Sequence, residues 1–560
     1  MSLITLSSSI TFTITNHSRH TRTQSLTVRC TDDNQYNIQT SPAAGQVDRR
    51  HLLMGIGGLY GAAAAPASAT PITAPDFSKC GVATNLNTSQ PLKDNCCPPL
   101  SSEIIDYKLP TAGGLRLRPA AHLAGKEYWA KYAKAVELMK ALPADDPRNF
   151  MQQANVHCAY CNLTYPQTPA AGDSDLKLQI HNCWHFFPWH RWYLYFYERI
   201  LSKLIDDPSF ALPFWNWDNP DGVVLPEAFV EKNSPLYNPR RNPEHLPPAM
   251  ADLAYSSSKP TNPKKVIKNN LSVMHREMVR RVWRLQDFYG AKYVAGSSPD
   301  PGPGAVERGS HIALHVWVGE NTTGGEDMGN FYSTARDSVF FSHHANVDRL
   351  WTVWRGLRGT KKKEFTDSDW LDAEFQFYDE HARLVRVRVA DALENERMGY
   401  AYQEVDLPWL KNRLLARKKK SKAAAGAAYR AGEKVFPAKL DKVVRAVVKR
   451  PKKSREKEEE EEELLVIEGI EADTGRFVKF DVFVNDEEEA AGDLDKAEYA
   501  GCYSHVPHRN SGRIKTMIRL GLSELLEDLE AEEDDKILVS LVPRDGGEDI
   551  TIGGVKIVYD

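Results

Sequence analysis

A chain of 560 residues is too long for one hydrophobic core, so the sequence predicts a large domain, a smaller one and segments outside both. With 71 Lys and Arg against 75 Asp and Glu, a net charge of −4 and a pI near 6.5, no overall field draws it to nucleic acid or anionic membrane. That balance suits a small substrate without high charge.

The first 31 residues hold no Asp or Glu, are dense in Ser and Thr, and carry Arg19, Arg22 and Arg29, the composition of a transit peptide. Arg49 and Arg50, the weakly apolar run Leu52 to Ala65 and the small residues Ala67-Ser68-Ala69 then read as a twin-arginine export signal. The run is too short and too rich in Gly and Ala to span a bilayer. Tandem signals of this kind address a chloroplast protein to the thylakoid lumen, and they leave residues 1–69 outside the fold.

Residues 70–410 are rich in aromatics, and helical-period stretches alternate with Pro/Gly loops. Helices are predicted over Tyr128–Leu142, stopped by Pro143; Trp189–Ile205, with Pro188 at its start; Leu271–Tyr289; and Ala345–Gly356. Ser297–Gly304 reads as an irregular loop. The eight cysteines are too few for a disulfide scaffold, but Cys80, Cys96, Cys97 and Cys158 could form two bridges, which implies an oxidising or protected compartment. Between 411 and 463 come Arg417-Lys418-Lys419-Lys420, an Ala/Gly patch and the acidic run Glu458–Glu463, the composition of a solvated, protease-sensitive linker. Alternating β-branched segments follow at Leu464–Ile470, Phe477–Val484, Ile514–Leu520, Ile537–Val542 and Ile550–Tyr559. The expected fold is mainly α, a helical core wrapped in long loops, with a small β-sandwich over 464–560.

Six of the 17 histidines form two groups of three. In the first, His157, His181 and His190, the i, i+9 spacing of the last two would set them on opposite faces of one helix. Pro188 breaks that continuity, so His181 must lie on a preceding turn or separate element. In the second, His311 and His315 share a helical face at i and i+4, and His344 follows 29 residues later. A single histidine among aromatics is commonly a hydrogen-bonded core residue; two triples in such surroundings are not. Three imidazoles per ion without a ligating carboxylate suit copper or zinc.

Around these histidines run His181-x4-Phe186-Phe187-Pro188-Trp189-His190-Arg191, continuing to Glu198, and Asp337-x-x-Phe340-Phe341-x-His343-His344-x3-Asp348. Elsewhere stand Cys96-Cys97-Pro98-Pro99, Asp369-Trp370-Leu371, Tyr400-Ala401-Tyr402 and Lys479-Phe480-Asp481-Val482. In these motifs the sequence resembles the plant polyphenol oxidases, or catechol oxidases, of the type-3 copper group that includes tyrosinases and haemocyanins. The resemblance implies two copper ions per chain, O2 as co-substrate and a small phenolic substrate. It assigns one copper to His157, His181 and His190 and the other to His311, His315 and His344. His343 becomes a neighbour that positions substrate or a hydrogen bond. It also implies a thioether between Cys161 and His181 and disulfides Cys80–Cys97 and Cys96–Cys158. Phe331 takes the gate position above the second copper, and Glu307 matches a carboxylate that holds a water. In the family an Asn beside the first ligand of the second copper favours monophenol hydroxylation. Here that position is Ile312, with Val316 after His315, and neither can hydrogen-bond, so oxidation of ortho-diphenols to ortho-quinones is expected. The tail resembles a shield domain that keeps the enzyme latent until a protease or other cue displaces it.

Cys183 and His185 depart from the family, which more often has a small hydroxyl residue and an aliphatic one. His185 is expected to pack, with competition for metal as the alternative; Asp337-Ser338 replaces the usual Asp-Pro. A reversible O2 carrier, a tyrosinase and a zinc hydrolase are the rival readings, the last weakened by the absence of His-Glu-x-x-His.

Overall fold

The computed structural model describes residues 70–559 except 84–89, 92–95, 112–113, 169–175, 256–261, 281, 283, 360–361, 413–434, 452–461, 487–493 and 509–511. The expected signals at 1–69, Arg417 to Lys420 and most of the acidic run lie outside the described residues. No described helix is long and apolar enough to cross a membrane.

The helical half is built on α1 (Lys126–Ala141), α2 (Phe150–Cys161), α3 (Phe186–Leu204), α4 (Pro263–Met278), α5 (Leu285–Tyr289), α6 (Ile312–Val318) and α7 (Val339–Leu357). Helix α1 buries Tyr132, Ala135, Val136 and Met139, the i, i+3, i+4, i+7 stripe of an amphipathic helix. Helix α2 has no such stripe: apart from Met151 and Gln152 every residue is buried, so periodicity gives no sign of it. Its start is fixed by Asn149, whose side chain accepts the Met151 amide at 2.8 Å. Pro188 sits in the first turn of α3, where amides have no intrahelical partner to lose.

Two expected helices differ in the structure. Leu271–Tyr289 is not one helix but α4 and α5; Arg280, just past the end of α4, turns to Asp528 of the C-terminal domain at 2.7 Å, a tertiary pull that overrides the pattern. Helix α7 begins at Val339 rather than Ala345, because Asp337 Oδ1 accepts the Val339 amide at 2.9 Å and starts it one to two turns early.

Short strands β1 (Ile105–Asp106), β2 (Arg116–Arg118), β3 (Glu374–Tyr378), β4 (Leu384–Arg388) and β5 (Tyr400–Tyr402) brace the helices in sheets ordered β1-β4-β3 and β2-β5. The β2-β5 register sets Arg118 opposite Tyr402, and the Arg118 guanidinium lies 3.8 Å over the Tyr400 ring. From there it reaches Glu198 on α3 at 2.8 Å and Asp348 on α7 at 3.3 Å, while Arg191 reaches Asp348 at 2.6 Å. Burial alone would raise the Asp348 carboxyl, but the Arg191 and Arg118 guanidinium groups outweigh it and hold it below its usual range. This buried network ties together the two helices that bear His190 and His344.

The C-terminal half comprises β6 (Ala438–Lys439), β7 (Val444–Lys449), β8 (Glu463–Asp473), β9 (Val478–Val484), β10 (Tyr499–His505), β11 (Arg513–Gly521), β12 (Lys536–Asp545), β13 (Thr551–Ile552) and β14 (Gly554–Tyr559). One sheet runs β10-β9-β12-β7; the other runs β11-β8-β13-β6, with β14 also on β8. The sandwich therefore starts before 464. Strands β6 and β7 fall in the stretch expected to be linker, and β7 shows the alternation that marks a strand, with Val444, Ala446 and Val448 buried. Glu463, the end of the acidic run, opens β8 and pairs with Arg450 at 2.7 Å. A register shift between Tyr499 and Gly501 interrupts the alternation of β10, so Ala500 and Tyr503 lie in the sandwich core, whereas Tyr499 and Cys502 join the core of the helical half.

Candidate metal centre

The two histidine triples meet in the middle of the helical core. His157 comes from α2, His190 from α3, and His181 from a turn just before α3, the separate element that the broken spacing requires. Their ring centroids are 5.0–5.6 Å apart. His311 ends a π-helical turn over Glu307–His311, His315 lies on α6 and His344 on α7, with centroids 4.5–5.3 Å apart. The triples face each other: His190 stacks on His344 at 4.2 Å, and His181 lies 6.2 Å from His311.

Backbone carbonyls fix how these rings point. His157 Nδ1 donates to Phe331 O at 3.0 Å, His190 Nδ1 to Phe186 O at 2.8 Å, His311 Nδ1 to Glu307 O at 3.0 Å and His315 Nδ1 to Met328 O at 2.8 Å. A neutral imidazole with its proton committed at Nδ1 offers a bare lone pair at Nε2. Burial, aided by neighbouring imidazoles, holds His157, His181, His311 and His344 well below the usual histidine range; burial brings His190 to about 3 and His315 to about 4. All six are thus neutral, the form a metal needs.

The donor set fits copper ions. Nε2 of His157, His181 and His190 are buried without a hydrogen-bond partner. In the other triple, His315 Nε2 lies 3.0 Å from His311 Nε2 and 3.2 Å from His344 Nε2. Bare lone pairs that close repel unless a cation lies between them, and two nitrogens each about 2 Å from one tetrahedral ion are about 3.3 Å apart. Soft-to-borderline nitrogen donors without a carboxylate ligand match copper.

The remaining expected residues are placed as follows. His343 lies with His311, His315 and His344 in one group, its ring 5.4 Å from His311 and 4.8 Å from His315, backed by Trp217 at 5.8 Å. Cys161 is a buried free thiol whose sulfur lies within 4.8 Å of ring nitrogens of His157 and His181. The disulfides Cys80–Cys97 and Cys96–Cys158 are both formed, and the second ties the N-terminal arm to the residue beside His157. Glu307 is buried, its carboxyl is pushed well up by burial, and Oε1 accepts the Asn182 amide at 2.6 Å. Ile312 is buried beside His311, and Val316 is half-buried beside His315.

Phe331 corrects an expectation. Its ring stacks on His181 at 4.4 Å and lies 6.3 Å from His157, so it covers the first triple, not the second. The loop after α6 carries it back across α2, a path that spacing cannot reveal. His185 packs: its Nε2 lies 3.0 Å from Tyr293 O and its ring 5.8 Å from Phe375. Cys183 is buried with its thiol on Ile180 O at 3.4 Å.

Sequence reasoning missed the segment that roofs the centre. Directly after β10, Pro507 O accepts the Phe331 amide at 3.0 Å, and the His508 ring lies 5.4 Å from Phe331. Helix α4 holds this domain in place. Arg276 donates to Leu494 O at 2.7 Å and lies 4.9 Å from the Tyr499 ring, and Lys268 meets Asp495 at 2.5 Å. A basic face on α4 was the available signal.

Two facing triples of neutral imidazoles in a helical core, four of them anchored by backbone carbonyls, fit a dinuclear copper protein of the type-3 class. Residues 147–357 match the family model for the common central domain of tyrosinase, 364–415 that for the polyphenol oxidase middle domain, and 436–559 that for the chloroplastic polyphenol oxidase C-terminal domain. The chain is 50% identical over 539 residues to polyphenol oxidase II, chloroplastic, of Ipomoea batatas, covering 93% of this chain and 91% of the relative. To polyphenol oxidase, chloroplastic, of Malus domestica it is 49% identical over 547 residues, covering 93% and 91%. Among solved structures, latent apple tyrosinase matches with a TM-score of 0.76 at 49% identity, covering 82% of this chain and 100% of that one. Latent aurone synthase matches at 0.81 and 42%, covering 88% and 99%. The chain belongs to the plant polyphenol oxidases of the tyrosinase, or type-3 copper, family, and is a copper oxidoreductase acting on phenols.

Proposed function

We propose that the enzyme oxidises ortho-diphenols to ortho-quinones while reducing O2 to water, with one copper on His157, His181 and His190 and the other on His311, His315 and His344. The observation that carries this reading is the pair of facing triples with their Nε2 lone pairs converging. His344 is preferred to His343 as the third ligand because its Nε2 lies 3.2 Å from that of His315. The reaction balances when two diphenols give up four electrons and four protons to one O2, yielding two quinones and two waters.

Copper, when bound, supplies the coupled electron transfer to O2. The protein supplies the geometry. At His157, His190, His311 and His315, carbonyl-anchored Nδ1 atoms keep the rings from turning, so little reorganisation is needed there during turnover. The Phe331 ring, against His181, offers an apolar face on which a phenol stacks. Glu307, whose Oε1 accepts the Asn182 amide, is proposed to hold a water near His311. Ile312 and Val316 add no hydrogen-bonding group that would help deprotonate a monophenol, which favours diphenols. O2 uptake with a catechol and with the matching monophenol tests this: rapid uptake on catechol and little on the monophenol is expected. Equal rates would make the enzyme a tyrosinase, and no turnover of either would favour an O2 carrier.

The Cys161 sulfur is proposed to be joined to His181, restraining a ligand whose ring nitrogens have no hydrogen-bond partner. Peptide mass analysis of the copper-loaded protein should find the two peptides cross-linked, and Cys161→Ser should separate them. Separate peptides in the wild type would contradict the link.

Latency is proposed to come from the C-terminal domain, supported by the contacts of Pro507 and His508 with Phe331. The relatives' chloroplastic names and the tandem signals support the chloroplast, with the thylakoid lumen as the proposed site within it.

A further inference from the structure

The turn that carries His311 does not satisfy its own backbone. At Gly309 a φ/ψ pair of −106° and −108° breaks the helical run, and the Ile312 amide closes on the Gly309 carbonyl instead of on Arg308, four residues back. Side chains take up groups that the kink turns outward. Glu277 of α4 accepts the Ser310 amide at 3.1 Å and the Ser310 hydroxyl at 2.6 Å. It presses so close that a Cβ on Gly309 would meet Glu277 Oε1 at 1.9 Å, so any larger residue there would push the Glu277 carboxylate off the turn. The Glu307 carbonyl receives the His311 ring itself, through Nδ1.

The Arg308 carbonyl is served from the other domain. Ser504 of β10 donates to it through Oγ at 2.5 Å, with Cys502 Sγ beside it at 3.8 Å, and both residues are buried. One side of the turn is therefore held by α4 and the other by the C-terminal sandwich. A buried carbonyl whose partner leaves seeks another, and this one lies three residues from His311.

The geometry points to Ser504 as a positioning residue for the second half of the metal centre. Its hydroxyl holds the turn that presents His311, so docking of the C-terminal domain shapes the ligand set as well as covering the entrance. The inference rests on the reading of His311 as a ligand. It implies that copper is held more firmly in the latent enzyme than once the domain has gone, because the His311 anchor and its Nε2 position then relax together.

The test uses the full-length chain with and without copper, as wild type, Ser504→Ala and Ser504→Thr. It reads hydrogen–deuterium exchange of the peptide over residues 307–312 and the rate at which a chelator strips copper. In Ser504→Ala the turn is expected to exchange roughly five- to tenfold faster, the effect of losing one buried hydrogen bond. Copper should leave faster by a similar factor. Exchange at Leu494–Tyr499, gripped by Arg276, should stay as in the wild type, and Ser504→Thr, which keeps the hydroxyl, should stay near wild type throughout.

Unaltered exchange in the turn overturns the proposal, as does a rise shared equally by Leu494–Tyr499, which marks simple undocking. Faster exchange with unchanged copper loss also counts against it, since the coupling would stop short of His311. The exchange readout needs no metal, so a chain that takes up no copper refutes the metal reading separately.

Discussion

His344→Ala is expected to abolish phenol oxidation, a loss well beyond the ~10–100-fold that follows removal of a hydrogen-bond partner behind a metal ligand. The histidine stands where the two halves touch: its ring stacks on His190 at 4.2 Å, and its Nε2 lies 3.2 Å from that of His315. Without it one ion keeps two nitrogens, and two-electron chemistry shared between the ions fails. The fold should survive, because α7 remains tied to α3 through Arg191 and Asp348. Steady-state O2 uptake on catechol, with circular dichroism as the check on folding, reads the outcome. Full activity would remove His344 from the ligand set and bring His343 forward.

Removing the C-terminal domain is expected to have the opposite sign. If the roofed form dominates and the open one is about 1–10% populated, releasing the domain raises diphenol oxidation about 10–100-fold. The structure says where a useful cut must fall. Strand β7 pairs with β12 from Val444 to Lys449, so a cut within 452–461 would leave a sandwich strand attached to the catalytic half. A cut within 413–434, where Arg417 to Lys420 offer tryptic sites, releases the sandwich whole. Trypsin cleavage there, followed by separation of the fragments by size, should activate the enzyme while the disulfide-braced catalytic part stays intact. Unchanged activity after complete separation would leave the tail as a folding or copper-delivery module.

The architecture and the six histidines were legible because each left a local signal. Pro188 marks the start of α3, alternating β-branched residues mark β8, β9, β11 and β12, and the i, i+4 pair at His311 and His315 marks one helical face. What escaped the sequence depends on tertiary surroundings. Helix α2 is buried on all sides and has no period to detect. The Leu271–Tyr289 pattern breaks where Arg280, just past α4, is drawn to Asp528 of another domain. Phe331 reaches the first triple through a loop whose path no spacing encodes. The sandwich begins earlier than the composition suggests because the flanking charged runs mask the short alternation of β7. The kink at Gly309 had a weak signal, a glycine within a helical run, but its meaning needed Glu277 and Ser504, which lie 32 residues before and 195 after it in the chain.

The central claim is that two histidine triples hold two coppers, and metal analysis tests it most directly. Copper per chain would be measured in the purified full-length protein and in His344→Ala, with zinc determined alongside. The account predicts two coppers in the wild type and loss of one in the variant. A single copper in the wild type, zinc in its place, or two firmly held coppers in the variant would contradict it.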